Sequence, residues 1–300
     1  MLTAFIWPKA IKSGQSALSK RSQLTNKEKD VLGLWQWLRN RRAAKAQQQH
    51  ACHTLWQQAL AAVPILQGLT TQEQTHLIAL GQQLLHRKTL TQLGVALTPQ
   101  QQAVLALQAA LPILHLGVAW YRGFHEIILI PTPVTRRQEE QDEFGLVSDV
   151  LEENAGEAWP QGPLVLAWRE LQQDGDWDGV NLLIHELAHK LDMLGGEADG
   201  APPLPRGMNP TPWQQAFQAA FDALCQQLDR GDVPAIDPYA AEHPAEFFAI
   251  CCELFFTDPL RLRAVYPAVY QQLSQFFSQD PAQRFPPTRL LAGEGSGSFA

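Results

Sequence analysis

The sequence predicts an α+β fold, mainly helical with a small mixed β-sheet. Three observations predict it. From Leu34 to about Leu116 apolar residues recur at spacings of three and four, as in Leu55, Ala59 and Ala62, then Leu77, Leu80, Leu84 and Leu85. Two short β-rich runs follow, Phe124–Pro131 and Gly162–Trp168. Helical periodicity then returns. Helices, strands and helices in that order describe an α+β chain, not the alternating units of a doubly wound sheet.

Each element has a local reason. Thr70 and Thr71 followed by Glu73 and Gln74 form a helix start with the makings of a capping box. Pro99 suits the first turn of a helix over Pro99–Ala110. Residues 138–143 (QEEQDE) read as a solvated acidic loop, and Asp174–Gly179 (DGDWDG) as a turn cluster. A helix is expected from about Val180 to Met193, stopped by Gly195 and Gly196. Residues 199–212 are rich in Pro and Gly and read as loop. Helices are then expected at Trp213–Leu228, Pro244–Phe256 and about Leu260–Phe277. There is no internal repeat.

The 300 residues are 45% hydrophobic and 18% charged, a globular composition able to bury a sizeable core. A net charge of −7 argues against direct nucleic-acid binding by the chain as a whole. The charge is uneven. Residues 1–50 hold 10 of the 23 Lys and Arg but 2 of the 30 Asp and Glu. Residues 1–33 are expected to be a basic, poorly ordered tail, a basic arm that meets an acidic surface or nucleic acid being the alternative. Residues 34–285 are expected to form one domain, with a helical part at 34–122 and a site-bearing part at 123–285. Residues 286–300 read as a flexible C-terminal tail. Cys52, Cys225, Cys251 and Cys252 form no C-x-x-C pair and read as free thiols in a reducing compartment. No apolar run reaches the roughly 18 residues of a membrane span. Met1–Trp7 meets Pro8, Lys9 and Lys12, which is not a secretory signal. A cytoplasmic protein without membrane partners is expected.

The chemistry lies in Leu183-Ile184-His185-Glu186-Leu187-Ala188-His189, which contains H-E-x-x-H. Residues four apart share a helix face, so His185 and His189 can offer nitrogens to one ion. Glu186 points round the helix and can reach a water on that ion, where a general base is needed. Leu183, Leu187, Leu191 and Leu194 form an apolar stripe that can dock the helix. Two histidines need a third protein ligand and an open position. The candidates are Asp192, Glu197, Asp199, Glu242, His243, Glu246 and Glu253. No third histidine follows at the short spacing some zinc peptidases use, which favours a distant carboxylate. Glu246 is best placed, in the first turn of a helix opened by Pro244. Beside Phe247, Phe248 and Ile250 its burial would be costly without a cation. Glu253, seven residues on, reads either as support behind a ligand or as an exposed acid. Asp192 reads either as an acceptor for a ligand imidazole or as a structural acid. Tyr239 could donate to an oxyanion or simply pack. The run Gly162–Trp168 is expected to be a sheet edge to which an extended peptide substrate adds.

These residues resemble a known family. The runs HELAHKLDMLGG (185–196), DPYAAEHPAEFFAICCELFF (237–256), GFHEIILIP (123–131) and GPLVLAW (162–168) look like those of the Mlc titration factor A peptidases. The resemblance covers about Leu34 to Phe285. The pairing of H-E-x-x-H with Tyr-x6-Glu-Phe-Phe is also similar to the catalytic domain of anthrax lethal factor. The resemblance implies a zincin-like metallopeptidase fold and one zinc ion per chain. It implies His185, His189 and Glu246 as ligands, Glu186 as base and Tyr239 as oxyanion donor. It further implies an aminopeptidase-like activity, and binding to the glucose-responsive repressor Mlc that modulates sugar-uptake genes. Two other readings stand beside this one. One is a non-catalytic protein that sequesters a transcription repressor. The other is a structural zinc site with four protein ligands, for which His243 is an available fourth.

Overall fold

The computed structural model describes residues 53–141, 147–154, 156–158 and 162–285. The expected tails at 1–33 and 286–300, and Cys52, lie outside the described residues.

Helix α1 (53–62) puts Trp56, Ala59 and Leu60 into the core. Helix α2 (Thr71–Arg87) starts at the expected capping box. The Thr70 hydroxyl accepts from Glu73 N–H, and the Glu73 carboxylate accepts from Thr70 N–H at 2.8 Å. Strand β1 (Thr89–Gln92) then interrupts a stretch expected to be helical throughout. Four half-exposed residues carry too short a period to announce themselves, and pairing with a distant strand makes this one. Helix α3 (Pro99–Ala110) begins at its proline as expected, capped by Thr98.

Strand β2 (Glu126–Ile130) is followed by β3 (Val134–Gln141) and β4 (Val147–Asn154), an antiparallel pair in register from Val134↔Asn154 to Gln141↔Val147. This corrects the expected acidic loop: its residues 138–141 are strand, and 142–143 lie outside the described residues. Composition argued for solvation there, but eight paired positions satisfy the backbone whatever the side chains. Strands β5 (Gly156–Ala158) and β6 (Leu164–Ala167) complete a four-stranded sheet ordered β1-β2-β6-β5. β1, β2 and β6 run parallel and β5 antiparallel, so the sheet is mixed as expected. β6 is not the edge. It lies between β2 and β5, and β5, which the sequence did not announce, takes the outer place.

A short helix α4 (Trp168–Leu171) and a turn lead into α5 (Leu182–Asp192). Helix α6 (Pro210–Asp229) begins three residues before the expected Trp213, at a proline in its first turn capped by Asn209. Helix α7 (Pro244–Thr257) is the centre of the core. Phe247, Phe248, Phe255 and Phe256 are all buried, and α7 packs against α5, α6, α8 and α9. Trp213 stacks on Phe217 at 4.3 Å between centroids, and both reach Phe248. Each such ring contributes roughly 1.5–3 kcal/mol by burial. The single helix expected over 260–277 is two, α8 (Pro259–Val265) and α9 (Pro267–Phe277). Pro267 clashes with a helical residue before it, and Tyr266 takes φ −128°, ψ 70° instead. No helix among the described residues is long and apolar enough to cross a membrane.

Candidate metal centre

Helix α5 is fixed at its start by side-chain acceptors. Asn181 caps it, its Oδ1 accepting from Ile184 N–H at 2.8 Å. The Asp174 carboxylate accepts from Leu182 N–H at 3.1 Å and Leu183 N–H at 3.0 Å. Together they satisfy three donors that a helix start leaves open. Leu183, Leu187 and Leu191 are fully buried, and Leu194 packs against the same core, so the apolar stripe docks α5 as the spacing implied. His185, Glu186 and His189 are carried on the rest of its circumference. Lys190 ties α5 to the approach of β6, its Nζ donating to the carbonyls of Gly162 at 3.0 Å and Pro163 at 3.3 Å.

Helix α7 meets α5 at the candidate ligands. The Nε2 atoms of His185 and His189 stand 3.1 Å apart. Glu246 Oε2 lies 3.1 Å from His185 Nε2, and Oε1 lies 3.3 Å from His189 Nε2. Ligands bonded at about 2.0–2.1 Å to one tetrahedral zinc are separated by about 3.3–3.4 Å. The three donors stand close to that spacing, and they are the group among the described residues that could hold a metal ion. His243, the available fourth group, is not among them. Its Nδ1 accepts from Ala245 N–H at 3.2 Å and caps α7. That leaves three protein donors, the number a site with one open position requires. The side chains of His185 and Glu246 keep 14% and 20% of their surface exposed, enough for solvent to reach them.

The open question over Glu253 is decided by its contacts. It is buried, and its Oε1 accepts from His185 Nδ1 at 2.6 Å while its Oε2 accepts from Asn181 N–H at 2.8 Å. In a neutral His185, the form a metal ligand takes, this bond favours the tautomer protonated on Nδ1, with Nε2 facing His189 and Glu246. Asn181 Nδ2 in turn donates to Gln108 Oε1 at 3.0 Å, so a buried polar chain runs from α3 to the histidine. Burial lowers the proton affinity of His185, but its bonds to Glu246 and Glu253 outweigh that and raise its pKa to about 10. Glu246 is held well below the usual carboxylate range: burial pushes it up, and the two imidazoles more than reverse this. The Glu186 carboxyl is raised, burial outweighing the same imidazoles.

Asp192 does not brace an imidazole through any hydrogen bond among the described residues. Its Oδ2 accepts from Gly200 N–H at 2.7 Å, and burial pushes its pKa up to about 6. Gly200, at φ +78°, approaches so closely that a Cβ there would lie 2.5 Å from the Pro244 carbonyl oxygen. Asp192 thus pins the loop after α5 against the first residue of α7, two positions before Glu246. Tyr239 lies in the 3-10 turn Pro238–Ala241, which packs against α7, with 43% of its surface exposed. An open groove of about 750 Å³ borders the same loop and Pro244, with Phe217, Phe221 and Phe247 in its wall. None of the three converging residues lines it.

Residues 35–278 match the profile of the glucose-regulated metallo-peptidase M90 family. The chain belongs to that family. The M90 chain is 40% identical over 254 residues to a protein named Mlc titration factor A from Yersinia pestis (strain Pestoides F), covering 83% of this chain and 91% of the relative. The same figures hold for relatives of that name from Yersinia pseudotuberculosis serotype O:1b (strain IP 31758) and serotype O:3 (strain YPIII). Metallopeptidase membership implies a metal, and the donor set of His185, His189 and Glu246 fits one. Sequence reasoning did not find the parts played by Asp174, Asn181 or Gln108. Asn181 had a signal, an Asn directly before an amphipathic helix. Gln108 had none, since its partner is 73 residues away.

Proposed function

We propose that this M90 chain is a zinc-dependent, aminopeptidase-like peptidase of the H-E-x-x-H plus distant glutamate type. His185, His189 and Glu246 would hold the ion. The convergence of their three donor atoms at 3.1–3.3 Å carries the reading. Zinc bound there supplies Lewis-acid polarisation of a scissile carbonyl and lowers the pKa of water toward about 7.

The chain supplies the rest. Glu186 takes the proton of the attacking water and delivers it to the leaving amine. Its burial raises the carboxyl pKa, which makes it a stronger base toward that proton. Tyr239 donates its phenol to the developing oxyanion. Glu253 holds His185 in its productive tautomer. An extended peptide would add to β5, the outer strand beside α5, rather than to β6. We assign this chemistry to residues 123–285, with 53–122, the described part of 34–122, as helical support. The test is Glu186→Gln: zinc uptake stays stoichiometric while hydrolysis falls by orders of magnitude. Unchanged hydrolysis refutes the role of Glu186.

A second reading rests on the relatives' name. This chain would bind the repressor Mlc and so modulate sugar-uptake genes, with or without catalysis. Cys225, Cys251 and Cys252 are free thiols, which fits the cytoplasmic location this requires. Glu186→Gln separates the two: a purely binding protein has no hydrolysis to lose, and Mlc capture by the variant equals that of the parent chain.

A further inference from the structure

Gly156 opens β5 at a place where no backbone reason calls for glycine. Its φ is not in the left-handed region, so an L-residue could adopt the same conformation. Glycine weakens a strand, and in a strand interior it often marks a close approach by another group. Here the approaching group is a side chain. A Cβ built on Gly156 would lie 2.4 Å from Glu186 Oε1 and 2.7 Å from both Glu186 Cδ and Cγ. These three atoms are its nearest neighbours, and all belong to Glu186. Bonded geometry aside, carbon and oxygen do not approach within 3.0 Å in this way, so a methyl group and this carboxylate position exclude each other.

β5 is held in place from its other side. Gly156 pairs with Leu166, Glu157 with Val165 and Ala158 with Leu164. Leu164 and Leu166 are fully buried, so β6 is anchored in the core and fixes the height of β5 above α5. The strand cannot rise to admit a side chain without losing its ladder. The Glu186 side chain is the flexible member of the pair and is the one that would be displaced. It is buried, so the displaced carboxylate leaves a packed seat.

We propose that Gly156 is a positioning residue whose missing side chain forms the seat that holds the Glu186 carboxylate in its catalytic orientation beside His185 and His189. It acts by leaving room. The inference rests on the peptidase reading for its catalytic half, while its packing half rests only on how closely Glu186 approaches Gly156.

The two halves are tested separately. In the zinc-loaded protein, Gly156→Ala lowers kcat by on the order of 100-fold, the cost of displacing a catalytic group by about 1 Å. KM and zinc affinity, measured by chelator competition, stay within about twofold, because neither depends on where the base points. In a Glu186→Asp background, where the carboxylate is withdrawn, the same change costs kcat far less. The packing half is read as Tm of the metal-free protein. Gly156→Ala lowers Tm in the parent chain and leaves it unchanged or higher in a Glu186→Ala background, where the obstacle is gone. If Gly156→Ala alone fails to fold, folding of Gly156→Ala/Glu186→Ala supports the proposal and failure of both overturns it. An equal Tm loss in the two backgrounds overturns it, as does a parental kcat for Gly156→Ala. Should the parent chain hydrolyse nothing, the peptidase reading fails, and the Tm comparison still decides the packing.

Discussion

Helices α5 and α7 bring the three candidate ligands together by different means. On α5 the pair His185 and His189 is local: four residues of helix put both rings on one face, whatever the rest of the fold does. The helix is two-sided, with an apolar stripe inward and the site on the rest. Helix α7 is buried almost all round, and nothing in its own period singles out Glu246. Its carboxylate arrives because His243 caps the helix start, because Gly200 presses on Pro244, and because Glu253 on the next turns reaches His185. A local pair is specified by spacing alone. A remote ligand is specified by everything that docks its helix.

The comparison can be broken at the ligands themselves, where the largest effect is expected. His185→Ala and Glu246→Ala should each abolish stoichiometric zinc uptake, read by metal analysis after dialysis. If Glu246→Ala kept its zinc, α7 would not share the site and the contrast would collapse. A smaller effect comes from the bond that joins the two helices. Glu253→Gln keeps the shape but cannot serve both His185 Nδ1 and Asn181 N–H as an acceptor. Zinc affinity should fall about 10–100-fold, the usual consequence of losing such an orienting partner. Parental affinity would mean that α5 orients His185 without help from α7.

The smallest effect lies at the start of α5, and it depends on pH. Burial pushes the Asp174 carboxyl up to about 7 from an ordinary 3.8, against the pull of its bonds from Leu183 and Leu182. The folded chain therefore holds this proton more tightly than the unfolded chain does. The stability it contributes is fully present below pH 3.8 and is lost as pH rises through about 7. Asp192, raised to about 6, acts in the same direction. Tm of the metal-free protein should fall between about pH 4 and 7, and Asp174→Asn should narrow that fall. An unchanged difference would remove Asp174 from the account.

Much of this was legible in advance because its causes are local. Thr70 with Glu73, Pro99 after Thr98, and the leucine stripe of α5 each act within a few residues, and each element formed where they predicted. The misreadings share another cause. β1 and β5 are strands only because other strands lie beside them, and β6 is interior only because β5 covers it. Residues 138–141 are polar yet paired. The break at Tyr266 was local and readable from Pro267, but the apolar period ran through it.

The site divides along the same line. The sequence by itself determined the two imidazoles on one helix face, the glutamate between them and a short choice of candidate third ligands, because helical geometry converts spacing into direction. Only the tertiary structure decided that Glu246 meets the rings, that Glu253 orients His185, that Asp192 pins a loop instead, and that Gly156 makes room for Glu186. Those contacts span up to 68 residues of chain. No period in a sequence encodes a distance between segments that far apart, and it is set only when their buried faces pack.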